Sequence, residues 1–386
     1  LKPVLTTSDA SFMAQALRLA ERGLYTTSPN PRVGAVMVNQ QGLVVGTGLH
    51  HRAGEAHAER LALQAAGEQA RGATAYVTLE PCCHQGRTPP CTDALIKAGV
   101  KRVVAAMTDP NPLVAGQGFA RLREAGIKVD VGLMEQEAEM LNLGFVKRMR
   151  RGLPWVRCKL AMSLDGRTAM ASGESQWITG PESRLDVQRG RARSCAILTG
   201  IGTLKADDPA LNVRLQAADL HDLGPDYPPH QPLRVVLDPM LESPPESRLF
   251  NLPGRTLIFC GQEILKSQKA VVLAGLGVSL EPVAGEGCSL DLYQVMRRLA
   301  MLGLNEVWIE SGATLAGAMM QRGVVDELII YMAPQLLGDT ARGLVRLPGL
   351  ERLDQRIDLR LEDVRQIGQD LRLTFSIKPV QRPAGL

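Results

Sequence analysis

Short apolar runs of strand length alternate with segments of helical period along nearly the whole chain, and one basic stretch ending in Gly152-Leu153-Pro154 interrupts them. Alternation of these two periods restricts the chain to α/β layers. Before the break, the pattern predicts helices over 9–22, 57–66, 92–98 and 117–125 and a longer one over 135–150. It predicts strands over 33–38, 43–48, 73–79, 100–107 and 127–132, the first two joined as a hairpin by Asn39-Gln40-Gln41-Gly42. After the break come strands over 155–162, 195–199, 233–238, 256–260, 307–310, 327–332 and 371–377. Helices fall near 182–193, 290–302 and 314–322, and the Pro- and Gly-containing stretch 215–232 reads as an irregular surface loop. A length of 386 residues exceeds what one core usually organises. The run Lys147-Arg148-Met149-Arg150-Arg151 suits a helix C-terminus. A domain boundary is therefore expected there, giving domains 1–152 and 153–386.

Composition removes several function classes. Lys and Arg total 44 against 40 Asp and Glu, a net charge of +4 that does not predict a nucleic-acid partner. No apolar run approaches the length of a membrane span, and the amino terminus lacks a signal-peptide stretch, so a cytoplasmic chain is expected. Three of the seven cysteines, Cys82, Cys83 and Cys91, sit close together. Clustered thiols in such a chain read as metal ligands rather than a disulfide scaffold.

His57-Ala58-Glu59 precedes that cluster, which runs Pro81-Cys82-Cys83-His84-Gln85-Gly86-Arg87-Thr88-Pro89-Pro90-Cys91. One imidazole and two thiolates make three ligands of tetrahedral zinc, and an open fourth position for water marks a catalytic site. The metal lowers the pKa of such a water. Glu59 is turned about 200° from His57 on a helix, so it suits proton transfer better than ligation. Cys82, Cys83, His84 and Cys91 compete for two ligand positions. Adjacent residues rarely aim at one ion, which favours Cys82 with Cys91; a structural zinc site completed by Cys83 or His84 is the alternative.

His-Ala-Glu with Pro-Cys and a later Cys resembles the cytidine-deaminase superfamily. The eight residues between the cysteines, with Thr78-Leu79-Glu80-Pro81-Cys82, Ser28-Pro29-Asn30-Pro31-Arg32-Val33-Gly34-Ala35 and Asp109-Pro110-Asn111-Pro112, resemble the deaminase part of the bifunctional riboflavin-biosynthesis family. The resemblance implies His57, Cys82 and Cys91 as zinc ligands and Glu59 as proton shuttle. It implies Asn30, His50, His84 and Arg87 as substrate contacts.

The second half lacks a GxGxxG dinucleotide motif. Its clearest unaided feature is Glu306 to Gly317, a strand running into a small-residue turn that opens a helix and can face a phosphate. Lys159 to Ala169, Ser175-Gln176-Trp177-Ile178-Thr179, Ala206 to Leu211 and Val325-Asp326-Glu327-Leu328 resemble the same family's reductase part. That likeness implies a dihydrofolate-reductase-like α/β domain using NADPH, after a cytidine-deaminase-like three-layer α/β/α domain. It implies cofactor contacts at Ala161, Trp177, Thr203, Asp207 and Gly312, Ala313, Thr314, Leu315, Ala316, Gly317 and Ala318. Substrate contacts would be Lys159, Ser175, Arg191, Leu211, Arg214 and Glu310, with Arg191 and Arg214 as phosphate clamps.

The expected function is hydrolytic deamination of a diaminopyrimidinone ribosylamine phosphate, then NADPH-dependent reduction of its ribosyl group to ribityl, in a homo-oligomer (dimer or tetramer). Two other readings compete: a tRNA base deaminase with an unrelated appended domain, and a zinc-stabilised binding module without turnover.

Overall fold

The computed structural model describes residues 5–85, 89–112, 114–220, 227–285 and 289–377. Arg87, expected in the first site, and Cys288 lie outside the described residues. The chain divides into two compact units, Leu1–Gly152 with Gln216–Pro229, and Leu153–Leu215 with His230–Leu386.

The first unit is one mixed sheet between two helical layers. Its strands are β1 (Gly34–Val38), β2 (Val44–Leu49), β3 (Thr74–Val77), β4 (Arg102–Ala105) and β5 (Lys128–Val131), in the order β2-β1-β3-β4-β5. β1 runs antiparallel to β2 and β3, while β3, β4 and β5 are parallel. Every residue of β1 is buried, because both faces of the sheet are covered. Ala35 and Met37 join the core under α2 (Ala58–Ala66), α3 (Cys91–Lys97) and α4 (Gln117–Glu124). Val36 and Val38 pack on the other side with Met13 and Leu17 of α1 (Thr7–Glu21) and with Phe145. A Cβ at Gly48 would lie 2.2 Å from the Ala58 carbonyl oxygen, and one at Gly46 would lie 2.2 Å from that of Ala62. Those two glycines let α2 lie against β2, which sets the height of the helix start at His57.

The long helix expected over 135–150 is two helices, α5 (Glu135–Leu141) and α6 (Leu143–Arg151). Asn142 breaks it, with φ −122° and ψ 28°. Its side chain is buried and accepts from the Arg32 backbone N–H at 2.8 Å while donating to the Arg32 carbonyl at 3.0 Å. An asparagine amide satisfied by the backbone of a remote segment outweighs continuity of a helical ladder.

The second unit is built on strands β6 (Trp155–Ser163), β7 (Arg167–Ala169), β8 (Ala196–Gly200), β9 (Leu233–Leu237), β10 (Thr256–Cys260), β11 (Ser279–Pro282), β12 (Glu306–Glu310), β13 (Glu327–Ala333), β14 (Arg342–Gly343), β15 (Leu359–Ile367) and β16 (Asp370–Ile377). Nine of them form one sheet in the order β11-β10-β9-β8-β12-β6-β13-β16-β15, and β7 pairs separately with β14. The sheet is parallel from β11 to β13, and β16 and β15 add an antiparallel edge. Apolar cores lie on both faces, one including Leu198, Phe259 and Met319, the other Ile197, Ile258 and Trp308. Helices α7 (Pro181–Ala192), α8 (Ile201–Asp207), α9 (Arg248–Asn251), α10 (Gln268–Gly275), α11 (Leu292–Met301) and α12 (Ala313–Gln321) connect the strands. Among the described residues, no helix is long and apolar enough to cross a membrane.

Candidate active sites

The first site gathers at the ends of β2 and β3. His57 caps the amino end of α2, and Cys91 is the first residue of α3. Cys82 arrives on the extended arm that leaves β3. Glu80 anchors this arm: its buried carboxylate accepts backbone N–H bonds from Asp109 (3.1 Å), Gly116 (2.9 Å), Gly118 (2.9 Å) and Phe119 (3.3 Å). Four donors on one carboxylate make a rigid tie between the Cys82 arm and the start of α4. Sequence reading gave Glu80 no role; a charged residue between Leu79 and Pro81 in an apolar stretch was the available signal.

His57 Nδ1 lies 3.5 Å from Cys82 Sγ and 3.4 Å from Cys91 Sγ, and the three donor atoms fall within 4.8 Å of one another. Tetrahedral zinc with ordinary Zn–N and Zn–S bonds requires N···S edges of about 3.5 Å, so the donor set fits that ion. Among the described residues this is the one cluster of His, Cys, Asp and Glu atoms so arranged, and neither Cys83 nor the exposed His84 belongs to it. The Cys82 thiol is pulled well below the usual thiol range, chiefly by its hydrogen bond with Cys91, against the cost of burial and with help from His57. Glu59, on the first turn of α2, is buried. Burial pushes its carboxyl up to about 7, the charge on Cys82 adding to the effect and His57 opposing it. A carboxyl near neutrality is suited to exchange a proton.

His50 and Asn30 meet beside this cluster. Asn30 Nδ2 lies 3.0 Å from His50 Nε2, and His50 Nδ1 lies 3.1 Å from the Ala56 carbonyl oxygen. The bonds assign the tautomer: Nδ1 donates to Ala56, and Nε2 accepts from Asn30. Burial lowers the His50 pKa, favouring that neutral form. The His50 ring stands edge-on to His57, with centroids 5.3 Å apart.

The second site is a cleft of about 1680 Å³ at the carboxyl ends of β8, β12 and β6. Ligands of open parallel sheets bind at this end of the strands. The register places Glu310 directly beside Lys159. The Arg191 guanidinium forks onto Glu310, Nε at 2.6 Å and Nη2 at 2.8 Å, and Nη1 donates to the Asn212 carbonyl. Trp308 Nε1 donates to Glu310 Oε1 at 3.0 Å. Burial opposes ionisation of Glu310, yet the Arg191 charge and hydrogen bonds hold its carboxyl down at about 2. Arg191, which lines the cleft, is thus paired with a carboxylate. Arg214 differs: its guanidinium contact among the described residues is a long 3.4 Å bond to Asn212 Oδ1.

Ala161, Ser175, Trp177, Thr203, Asp207, Leu211, Arg214, Gly312, Ala313, Thr314, Leu315 and Ala318 also line the cleft. Ala316 and Gly317 do not. Ala316 is packed in the core, and a Cβ on Gly317 would lie 1.9 Å from the Arg346 carbonyl oxygen. Thr203 Oγ1 accepts from the Gly312 N–H at 3.1 Å, tying the turn before α12 to α8. The Ser311 hydroxyl in this turn is buried and has no partner among the described residues, while the residue lines the cleft. Such an orphaned group fits a cleft that receives a polar ligand. Arg184 also lines it, its guanidinium carbon 4.8 Å from the exposed Trp177 ring centroid. Ser311 belongs to the turn that the sequence singled out, though without a role of its own, and Arg184 did not stand out, because an arginine on a helix carries no signature.

Comparison with known proteins follows the same division. The family described as the cytidine and deoxycytidylate deaminase zinc-binding region matches residues 6–107, and the RibD C-terminal domain matches residues 154–373. The riboflavin biosynthesis protein RibD of Escherichia coli K12 is 53% identical over 365 residues, covering 94% of this chain and 98% of that one. Its counterpart from Haemophilus influenzae is 49% identical, covering 97% and 99%. Among solved structures, Acinetobacter baumannii RibD aligns with a TM-score of 0.87 at 46% identity, covering 96% of this chain and 99% of that one. A diaminohydroxyphosphoribosylaminopyrimidine deaminase/5-amino-6-(5-phosphoribosylamino)uracil reductase from Thermotoga maritima aligns with a TM-score of 0.80 at 30% identity, with the same coverage.

Proposed function

Since the chain belongs to the RibD family of riboflavin biosynthesis proteins, its activity is that of a bifunctional deaminase and reductase, and we propose how its own residues divide the work. The likeness extends through the second half, so an unrelated appended domain, as in the tRNA-deaminase reading, has no support.

His57, Cys82 and Cys91 hold zinc, which when bound supplies a Lewis acid and lowers the pKa of water. Asn30 and the neutral His50 orient the edge of the pyrimidine. Glu59 takes the proton that the attacking water must lose and returns it to the departing amine. The ring amino group leaves as ammonia and a carbonyl replaces it. The approach of the three donor atoms beside a buried, unligated Glu59 carries this reading.

In the second unit NADPH supplies the reducing equivalents. The turn Gly312–Leu315, with Thr203 and the Ser311 hydroxyl, receives its phosphate region, and Trp177 and Asp207 bound it. Arg214 takes the substrate phosphate. Glu310, held by Arg191 and Trp308, faces the ribose beside Lys159. The apolar side chains exposed on the edge strand β15, Leu359, Leu361 and Val364, support association into a homo-oligomer.

Incubation of the zinc-loaded protein with the diaminopyrimidinone ribosylamine phosphate tests the division. Without NADPH, ammonia should appear and the pyrimidine should stop at the deaminated ribosyl compound. With NADPH, the product should gain two hydrogens. Reduction without prior ammonia release would reverse the proposed order.

A further inference from the structure

Residues Gln216–Pro229 group with the first unit, although their neighbours in sequence on both sides belong to the second. Tyr227 makes the informative contacts. Its ring stacks on His51, with centroids 4.8 Å apart and planes 13° apart. The Arg52 guanidinium carbon lies 5.3 Å from the same ring's centroid. The phenol hydroxyl donates to Glu55 Oε2 at 3.4 Å. One aromatic side chain therefore touches three residues of a single loop.

That loop, between β2 and α2, has no regular secondary structure. It turns at Gly54 with φ +95°, a conformation that glycine adopts most readily. It carries His50 near one end and His57 at the other, and His50 closes it internally on the Ala56 carbonyl. The loop's internal ties include the turn bond from the Glu55 N–H to the Arg52 carbonyl and the His50 bond to Ala56. Stacking on His51, a cation over the ring and a bond to Glu55 add ties from outside.

We propose that Tyr227 is a positioning residue for deamination: it holds the 51–55 loop so that His50 and Asn30 meet the substrate ring in one arrangement. The inference rests on the assignment of His50 to the deaminase site. It gives Tyr227 a task in the first reaction, although the residue lies within the reductase half of the sequence. Tyr227 touches no reacting atom, so its loss should act on substrate capture more than on turnover.

The test uses full-length, zinc-loaded protein carrying Tyr227→Ala, Tyr227→Phe or His50→Ala. Tyr227→Ala should raise the deaminase KM about tenfold with kcat changed far less, since a loosened loop must be ordered at each binding event. Tyr227→Phe keeps the stacked ring and should recover most of the loss. Zinc content and NADPH oxidation on the deaminated substrate should stay native, which a general folding defect would not allow. An unchanged deaminase KM in Tyr227→Ala, with His50→Ala crippled, overturns the inference alone. Equal loss of both activities, or loss of zinc, also overturns it. Native deamination in His50→Ala would instead remove the site assignment beneath it.

Discussion

Glu59→Gln should keep its zinc and lose ammonia release by at least about a thousandfold, within the range that general acid–base groups contribute. The substitution preserves shape in a buried pocket, and Glu59 lies outside the donor triangle, so the metal site has no reason to open. What disappears is a buried group beside the metal donors that can both accept a proton and give it back. Burial raises the native carboxyl above the ordinary carboxylate range, toward values at which a group can both take up and give back a proton. Metal analysis, an ammonia assay and NADPH oxidation on the deaminated substrate read the three consequences separately. Deamination within tenfold of native would take the proton path away from Glu59, and loss of zinc would make it a ligand.

Glu310→Ala should remove most reductase activity and weaken the second unit. The variant leaves the Arg191 guanidinium nearly buried without its carboxylate, a change that costs about 3–5 kcal/mol in comparable sites. The sign of the pH dependence follows from the depressed pKa. The folded carboxyl titrates at about 2 against an ordinary 4.5, so its contribution is complete above 4.5 and fades as pH falls through 2. Denaturant melts should therefore show the widest gap between native and variant proteins at neutral pH, narrowing in acid. Deamination should survive, because the residue belongs to the other unit. A variant that reduces substrate at the native rate would reassign Glu310 to structure.

Most strands were legible because strands covered on both faces, parallel or antiparallel, read as unbroken apolar runs. Gly34–Val38, paired antiparallel on both sides, and the parallel Thr256–Cys260 are buried at every position. Edge strand β15 escaped notice for the opposite reason. Its register shifts between Leu361 and Asp363, which breaks the alternation a period-two search relies on. The break at Asn142 was hidden because its partner, Arg32, is remote in sequence. The short strand β11 lies at the sheet edge with too few residues to register as a run.

At the first site, zinc chemistry admits few residue types, so His57, Glu59 and the cysteines stood out. Cys82 was chosen over Cys83 from the sequence, but the reason it points inward, the direction of a backbone arm that Glu80 fixes through amides more than twenty-five residues away, was not legible there. At the second site no comparable signature exists. Binding by amides, a lone serine hydroxyl and a helix arginine neutralised by a strand carboxylate shows itself only when β12, β8 and β6 stand side by side. The pairing of Arg191 with Glu310 joins positions far apart in the chain, and neither residue type announces it.

X-ray absorption at the zinc edge of the purified protein reads out a three-donor metal site with one exchangeable position. The expected spectrum shows one zinc per chain with two sulfur neighbours, one imidazole nitrogen and one light atom that a small anion displaces. Protein that carries no zinc, or zinc closed by a fourth protein donor, would contradict that arrangement.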